Sequence, residues 1–151
     1  MQTPASKRQF LRAAGIAAVA AVIAPRMAFA TAADVASEIK KLYGDRQIVS
    51  GRIKLDVPQI AETGLVVPIS VEVDSPMTAN DYVKSVHVFA EKNPLPGVIT
   101  YRFTPEAGKA AASTRMRLAE TQDIVVVAEM SSGQLFSTRS EVKVTIGGRG
   151  G

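Results

Sequence analysis

The 151-residue sequence has no cysteine, no tryptophan and a single histidine, and only 5% of it is aromatic. Each shortage excludes a class of chemistry. Without cysteine there is no disulfide framework, no thiol nucleophile and no thiolate-bound zinc. One histidine cannot furnish a His-rich metal centre. Phosphate-cradling and zinc-protease signatures (G-x-G-x-x-G, the P-loop, H-E-x-x-H) are missing as well. The residues therefore lead us to expect no resident cofactor, no metal site and no catalysis by the chain itself.

What is present is a foldable composition, 46% hydrophobic and 21% charged, which suits a globular domain and not a disordered chain. The net charge of +4 is concentrated at the N-terminus. Residues 1–30 hold Lys7, Arg8, Arg12 and Arg26 and no acid. Without them, 14 basic residues face 14 acidic ones, so the rest is formally neutral and makes no electrostatic case for nucleic acid or an anionic membrane.

Residues 1–30 have the order of a cleaved export signal. Basic residues come first, then an apolar run from Ala13 to Ile23, then Ala28-Phe29-Ala30 in the A-x-A cleavage pattern. That run is 11 residues long, against about 20 needed to span a bilayer as a helix. The stretch Ser6-Lys7-Arg8-Gln9-Phe10-Leu11-Arg12 resembles the twin-arginine export box, with Lys7 in place of the first Arg. The expectation is export to the periplasm, cleavage after Ala30 and no membrane attachment afterwards.

Residues 31–146 read as one domain, a short helix followed by strands. Thr31 caps the helix, Val35, Ile39 and Leu42 recur at helical spacing, and Gly44 ends it. The period then changes to two. Ile53 to Val57, Val66 to Val73, Val86 to Ala90, Ile99 to Phe103, Ala112 to Leu118, Ile124 to Met130 and Phe136 to Ile146 are strand-like runs separated by Gly/Pro/Asn/Ser clusters, among them Pro58 to Gly64 and Asn93 to Gly97. The fold class is all-β, an immunoglobulin-like antiparallel sandwich of about seven strands with an N-terminal helix and a flexible Gly-rich C-terminal arm. Pro68 inside a strand places it at an edge or a bulge.

Few side chains offer chemistry. His87 lies between Val86 and Val88 and reads as a strand residue at solvent or hydrogen-bonded in a sheet, in preference to a base or ligand. The carboxylates, including the Glu72 and Asp74 pair, read as solvated surface, and Met77, Met116 and Met130 as packing residues. The unusual segment is residues 147–151, Gly147-Gly148-Arg149-Gly150-Gly151, into which the last strand runs directly. A glycine-rich arm of that kind can reach about 17 Å when extended and can present residue 149 inside a narrow cleft.

The stretches Leu55-Asp56-Val57-Pro58-Gln59-Ile60-Ala61-Glu62-Thr63-Gly64, Val67-Pro68, Val73-Asp74-Ser75-Pro76-Met77 and Val142 to Gly148 resemble the SoxY family, the sulfur-carrier subunits of periplasmic thiosulfate oxidation. The resemblance implies pairing with SoxZ as a heterodimer and transient contacts with a c-type cytochrome, a sulfate-releasing hydrolase and a sulfane dehydrogenase. It also implies a swinging arm, Gly-Gly-Cys-Gly-Gly, whose Cys carries the sulfur substrate. In this sequence Gly147, Gly148, Gly150 and Gly151 match the arm, and Arg149 stands at the carrier position. A guanidinium has no sulfur and stays protonated, so it cannot form the conjugate. The other readings are a periplasmic immunoglobulin-like binding or structural module, and a paralogue that has lost carriage.

Overall fold

The structure, a computed structural model, describes residues 28–148. It contains one helix, α1 (Ala32–Tyr43), and nine strands: β1 (Ile48–Ser50), β2 (Ile53–Asp56), β3 (Ile60–Thr63), β4 (Val67–Val73), β5 (Val83–Ala90), β6 (Gly97–Arg102), β7 (Ala110–Met116), β8 (Gln122–Met130) and β9 (Leu135–Ile146). The larger sheet has the order β1-β9-β8-β5-β6, with β3 also paired to β9, and the smaller sheet has the order β2-β4-β7. Among the described residues no helix is long and apolar enough to cross a membrane.

All seven strand-like runs are strands, and two more are added to the seven expected. β1 pairs with the start of β9 and β3 with its end, both in parallel, so the sandwich is not wholly antiparallel. β3 lies inside the Pro58 to Gly64 stretch that reads as a turn. β1 is only three residues long, β3 sits between Pro58 and Gly64, and their partner in β9 lies about 85 residues away.

The core follows from the alternation. Val67, Ile69, Val71 and Val73 of β4 face Val86, Val88 and Ala90 of β5 and Ile124, Val126, Ala128 and Met130 of β8. A second cluster lies on the outer face of the large sheet, where Phe89, Val125, Val127 and Leu135 pack under Val35 and Tyr43 of α1. β8 is almost continuously apolar because it is covered on both faces. Met77, Met116 and Met130 are all buried, as expected of packing residues.

α1 begins where Thr31 predicts. Thr31 and Asp34 form a reciprocal capping box, and Gly44 ends the helix at φ 67°. The buried stripe is Val35, Ile39 and Tyr43, at i, i+4 and i+8, while Leu42 is exposed. A helix that meets a sheet along one line buries a narrow i, i+4 stripe, and the neighbouring Leu42 falls outside it.

Pro68 also differs from expectation, because β4 is the central strand of its sheet. β2 pairs only with residues 70–73 of β4, whereas β7 runs along the whole strand. Pro68 therefore has a neighbour on one side only, which is how a central strand tolerates it.

Phe89 is 2% exposed and forms the floor under α1. Phe89→Ala should cost about 3–5 kcal/mol in urea unfolding, from lost burial and the cavity left behind. A loss below about 1 kcal/mol would show that α1 does not rest on this ring.

Candidate functional site

β9 is the longest strand and delivers the chain to the C-terminal glycines. Where it ends, three segments meet through their backbones. Gly64 N–H donates to the Ile146 carbonyl at 2.7 Å, Leu118 N–H donates to the Gly64 carbonyl at 2.8 Å, and Gly148 N–H donates to the Leu118 carbonyl at 2.9 Å. Leu118 is fully buried and ties this clamp to the core.

The clamp requires glycine for space. A Cβ on Gly64 would overlap the Leu118 carbonyl oxygen and crowd Gly148 N. One on Gly147 would overlap the Ala119 carbonyl oxygen, and one on Gly148 the Gly64 carbonyl. Gly147 and Gly148 are thus built into the sandwich by close backbone approach, a requirement separate from the conformational freedom an arm needs. Arg149, Gly150 and Gly151 lie outside the described residues.

Three apolar side chains surround the exit. Leu65 and Val66 follow Gly64, and Ile146 precedes Gly147. They are 47%, 56% and 67% exposed. Ile146 shares the parity of Val142 and Val144, yet it is exposed at the end of β9, opposite Thr63 of β3.

At the other end of the sequence, Ala28 is exposed, whereas Ala30 is buried and its N–H donates to the Asn93 carbonyl at 2.8 Å. The remaining residues of the stretch that reads as an export signal, 1–27, lie outside the described residues.

His87 has a more specific place than the sequence indicates. It faces α1, where Nδ1 meets the Tyr43 hydroxyl and the ring stacks on Phe89. Burial lowers its pKa below the ordinary value and the nearby Arg102 adds to this, with Glu129 opposing. The Tyr43 hydroxyl is pushed up to about 12 by burial and by the Glu129 charge, against the pull of Ser85 and Arg46. Burial works to raise the Glu129 carboxyl, but Arg46 at 2.7 Å and Lys84 at 3.5 Å outweigh it and hold it below the usual carboxylate range. This cluster seats the end of α1. Of the two carboxylates singled out in the sequence, Glu72 pairs with Lys109 at 3.1 Å and Asp74 is exposed. Among the described residues no group of three or more Asp, Glu or His side chains is arranged to hold a metal ion.

The fold and the clamp together define a two-sheet β-sandwich whose last strand ends in a glycine-locked C-terminal root. The family model for sulfur oxidation protein SoxY matches residues 39–148. The solved structure of the sulfur carrier protein SoxY from Chlorobium limicola f thiosulfatophilum is 32% identical, with a TM-score of 0.65, covering 77% of this chain and 100% of that one. The chain belongs to the SoxY family. Superoxide reductases share the sandwich alone: the neelaredoxin of Ignicoccus hospitalis has a TM-score of 0.56 at 16% identity, covering 77% of this chain and 94% of that one. The enzyme of Nanoarchaeum equitans has 0.53 at 14%, covering 63% and 99%. No curated protein sequence matches the chain.

Two expectations follow. Gly64→Ala should destabilise the fold by about 1–3 kcal/mol and strip hydrogen-exchange protection from the Gly148 amide, because carbonyl and amide must separate to admit the methyl. Gly97→Ala, where the methyl meets open space, is the control. Equal effects would mean that the clamp is not close-packed. The second concerns pH. His87 has a folded pKa below its unfolded value of about 6.5, so the unfolded state binds more protons in the window between the two. Stability should therefore fall as pH drops from 7.5 through 6.5 towards 5.5. His87→Asn should flatten that slope in urea titrations, and an unchanged slope would remove His87 as its source.

Proposed function

We propose that the chain is a SoxY-type subunit that pairs with SoxZ in the periplasm and holds its arm, residues 147–151, towards the enzymes of thiosulfate oxidation. It arrives there through the twin-arginine-like signal in residues 1–30, cut after Ala30. It is a carrier-type subunit and not an enzyme. The observation that carries this reading is the family match over residues 39–148, which runs to the clamped root of the arm. The exposed Leu65, Val66 and Ile146 beside that root support a surface that another protein covers.

Position 149 decides what the arm does. Conjugating thiosulfate to a carrier thiolate forms one S–S bond and releases two electrons to a cytochrome. The thiolate is the electron-rich partner in that step. Arg149 offers a protonated guanidinium and no sulfur, so this chain as written has no group on which to form the conjugate. That favours a second reading within the family, a paralogue that keeps the fold, the SoxZ surface and the arm but does not carry sulfur covalently. A lone guanidinium screened by solvent holds an anion weakly, so non-covalent carriage is the less favoured use of Arg149.

Three measurements test this. SoxZ should capture the mature chain from solution, whereas a generic immunoglobulin-like module would not be retained. Intact mass of the mature protein should begin at Thr31, fit Arg149 and show no sulfur adduct. Arg149→Cys, incubated with SoxZ, the cytochrome and thiosulfate, should gain the mass of a thiosulfate conjugate. Absence of any adduct would show that the arm had lost more than its thiol.

A further inference from the structure

The clamp on Gly148 depends on Leu118, and Leu118 lies in the loop between β7 and β8, outside any strand. A loop peptide needs something on its other edge to keep it extended. That edge is satisfied by one side chain. Asn93 Nδ2 donates to the Arg117 carbonyl at 2.8 Å, and Asn93 Oδ1 accepts from Ala119 N–H at 3.0 Å. A carbonyl at 117 and an amide at 119 pointing the same way are the hydrogen-bonding edge of an extended strand. The Asn93 amide fills the place a neighbouring strand's peptide would take. The Leu118 N–H and carbonyl consequently face the opposite edge, towards Gly64 and Gly148.

Asn93 is itself held. Gln122, 3% exposed, donates through Nε2 to Asn93 Oδ1 at 3.0 Å and to the Glu120 carbonyl at 3.0 Å, and it accepts from Lys92 N–H at 2.9 Å through Oε1. These contacts fix which end of the Asn93 amide is oxygen and which is nitrogen, so the side chain can only donate to 117 and accept from 119.

We propose that Asn93 is the positioning residue at the root of the arm: by holding Arg117 to Ala119 extended, it places the Leu118 carbonyl on Gly148 and so fixes the residue to which position 149 is joined. The consequence for position 149 is geometric. Its Cα is one peptide, about 3.8 Å, from the Cα of Gly148. Anything that fixes Gly148 restricts where a group on residue 149 can be delivered to another protein. The link to carriage rests on reading residues 147–151 as the arm; the link between Asn93 and Gly148 does not.

The absence of cysteine makes a direct test possible. Spin labels on Arg149→Cys and on Thr100→Cys, an exposed site on β6, report the distance between position 149 and the rigid sheet. Asn93→Ala should at least double the width of that distance distribution. Asn93→Asp, which keeps the acceptor for Ala119 and loses the donor to Arg117, should widen it less, and it serves if the alanine variant fails to fold. Ser70→Ala removes a hydrogen bond to Ser113 on the other sheet and should leave the width unchanged, which controls for general loosening. Equal widths in the parent and both Asn93 variants would overturn the proposal. The carrier reading fails separately, if Arg149→Cys takes up no sulfur adduct while Asn93 still governs the width.

Discussion

A single residue, Leu118, holds Gly64 through its backbone N–H and Gly148 through its carbonyl, both on one edge. Much of the architecture at this end of the molecule depends on that contact. It joins the turn after β3, the loop before β8 and the end of β9, three segments far apart in sequence. Contact of this kind is possible only where side chains are absent, so the three glycines are fixed by space and not by flexibility. The buried Leu118 side chain couples the clamp to the hydrophobic core. Gly148 is thereby tied to the hydrophobic core.

β9 has a corresponding role along its length. It pairs with β8 on one edge, while its other edge is shared by β1 near the start and β3 near the end. A strand of twelve residues with half an edge open would invite association with other chains. The two short parallel strands cover that edge in pieces. β3 also brings Gly64 to the end of β9, because Thr63 lies opposite Ile146 in the register. The same short element that protects the edge therefore supplies one jaw of the clamp.

Much of this was legible in the sequence, for physical reasons that differ by element. Six of the seven expected strands showed themselves by a period of two, and β8 by an apolar run, because it is covered on both faces. α1 was marked by the Thr31 and Asp34 box and by Gly44. β1 and β3 were not legible: β1 is only three residues long, β3 lies among turn-forming Pro58 and Gly64, and a parallel partner about 85 residues away leaves no local trace. Leu42 misled because a stripe allowed by helical spacing is wider than the stripe the sheet covers; Tyr43 took its place. The C-terminal glycines were recognised as unusual, but only the structure shows that Gly147 and Gly148 serve close packing. Asn93 was read as part of a turn, Asn93 to Gly97. Its side chain does the work of a strand for a segment some 25 residues away, and no pattern of types along the chain encodes that.

The structure also separates what the fold requires from what the chemistry requires. Every contact in the clamp comes from residues up to Gly148, and each is either backbone to backbone or, at Asn93 and Gln122, an amide standing in for backbone. None of these contacts is made by the side chain at position 149. On the proposed reading, an arm with a guanidinium where a carrier would have a thiol keeps every one of these hydrogen bonds. The SoxY fold and family are therefore compatible with Arg149, and what the guanidinium cannot supply is the sulfur nucleophile that covalent carriage needs.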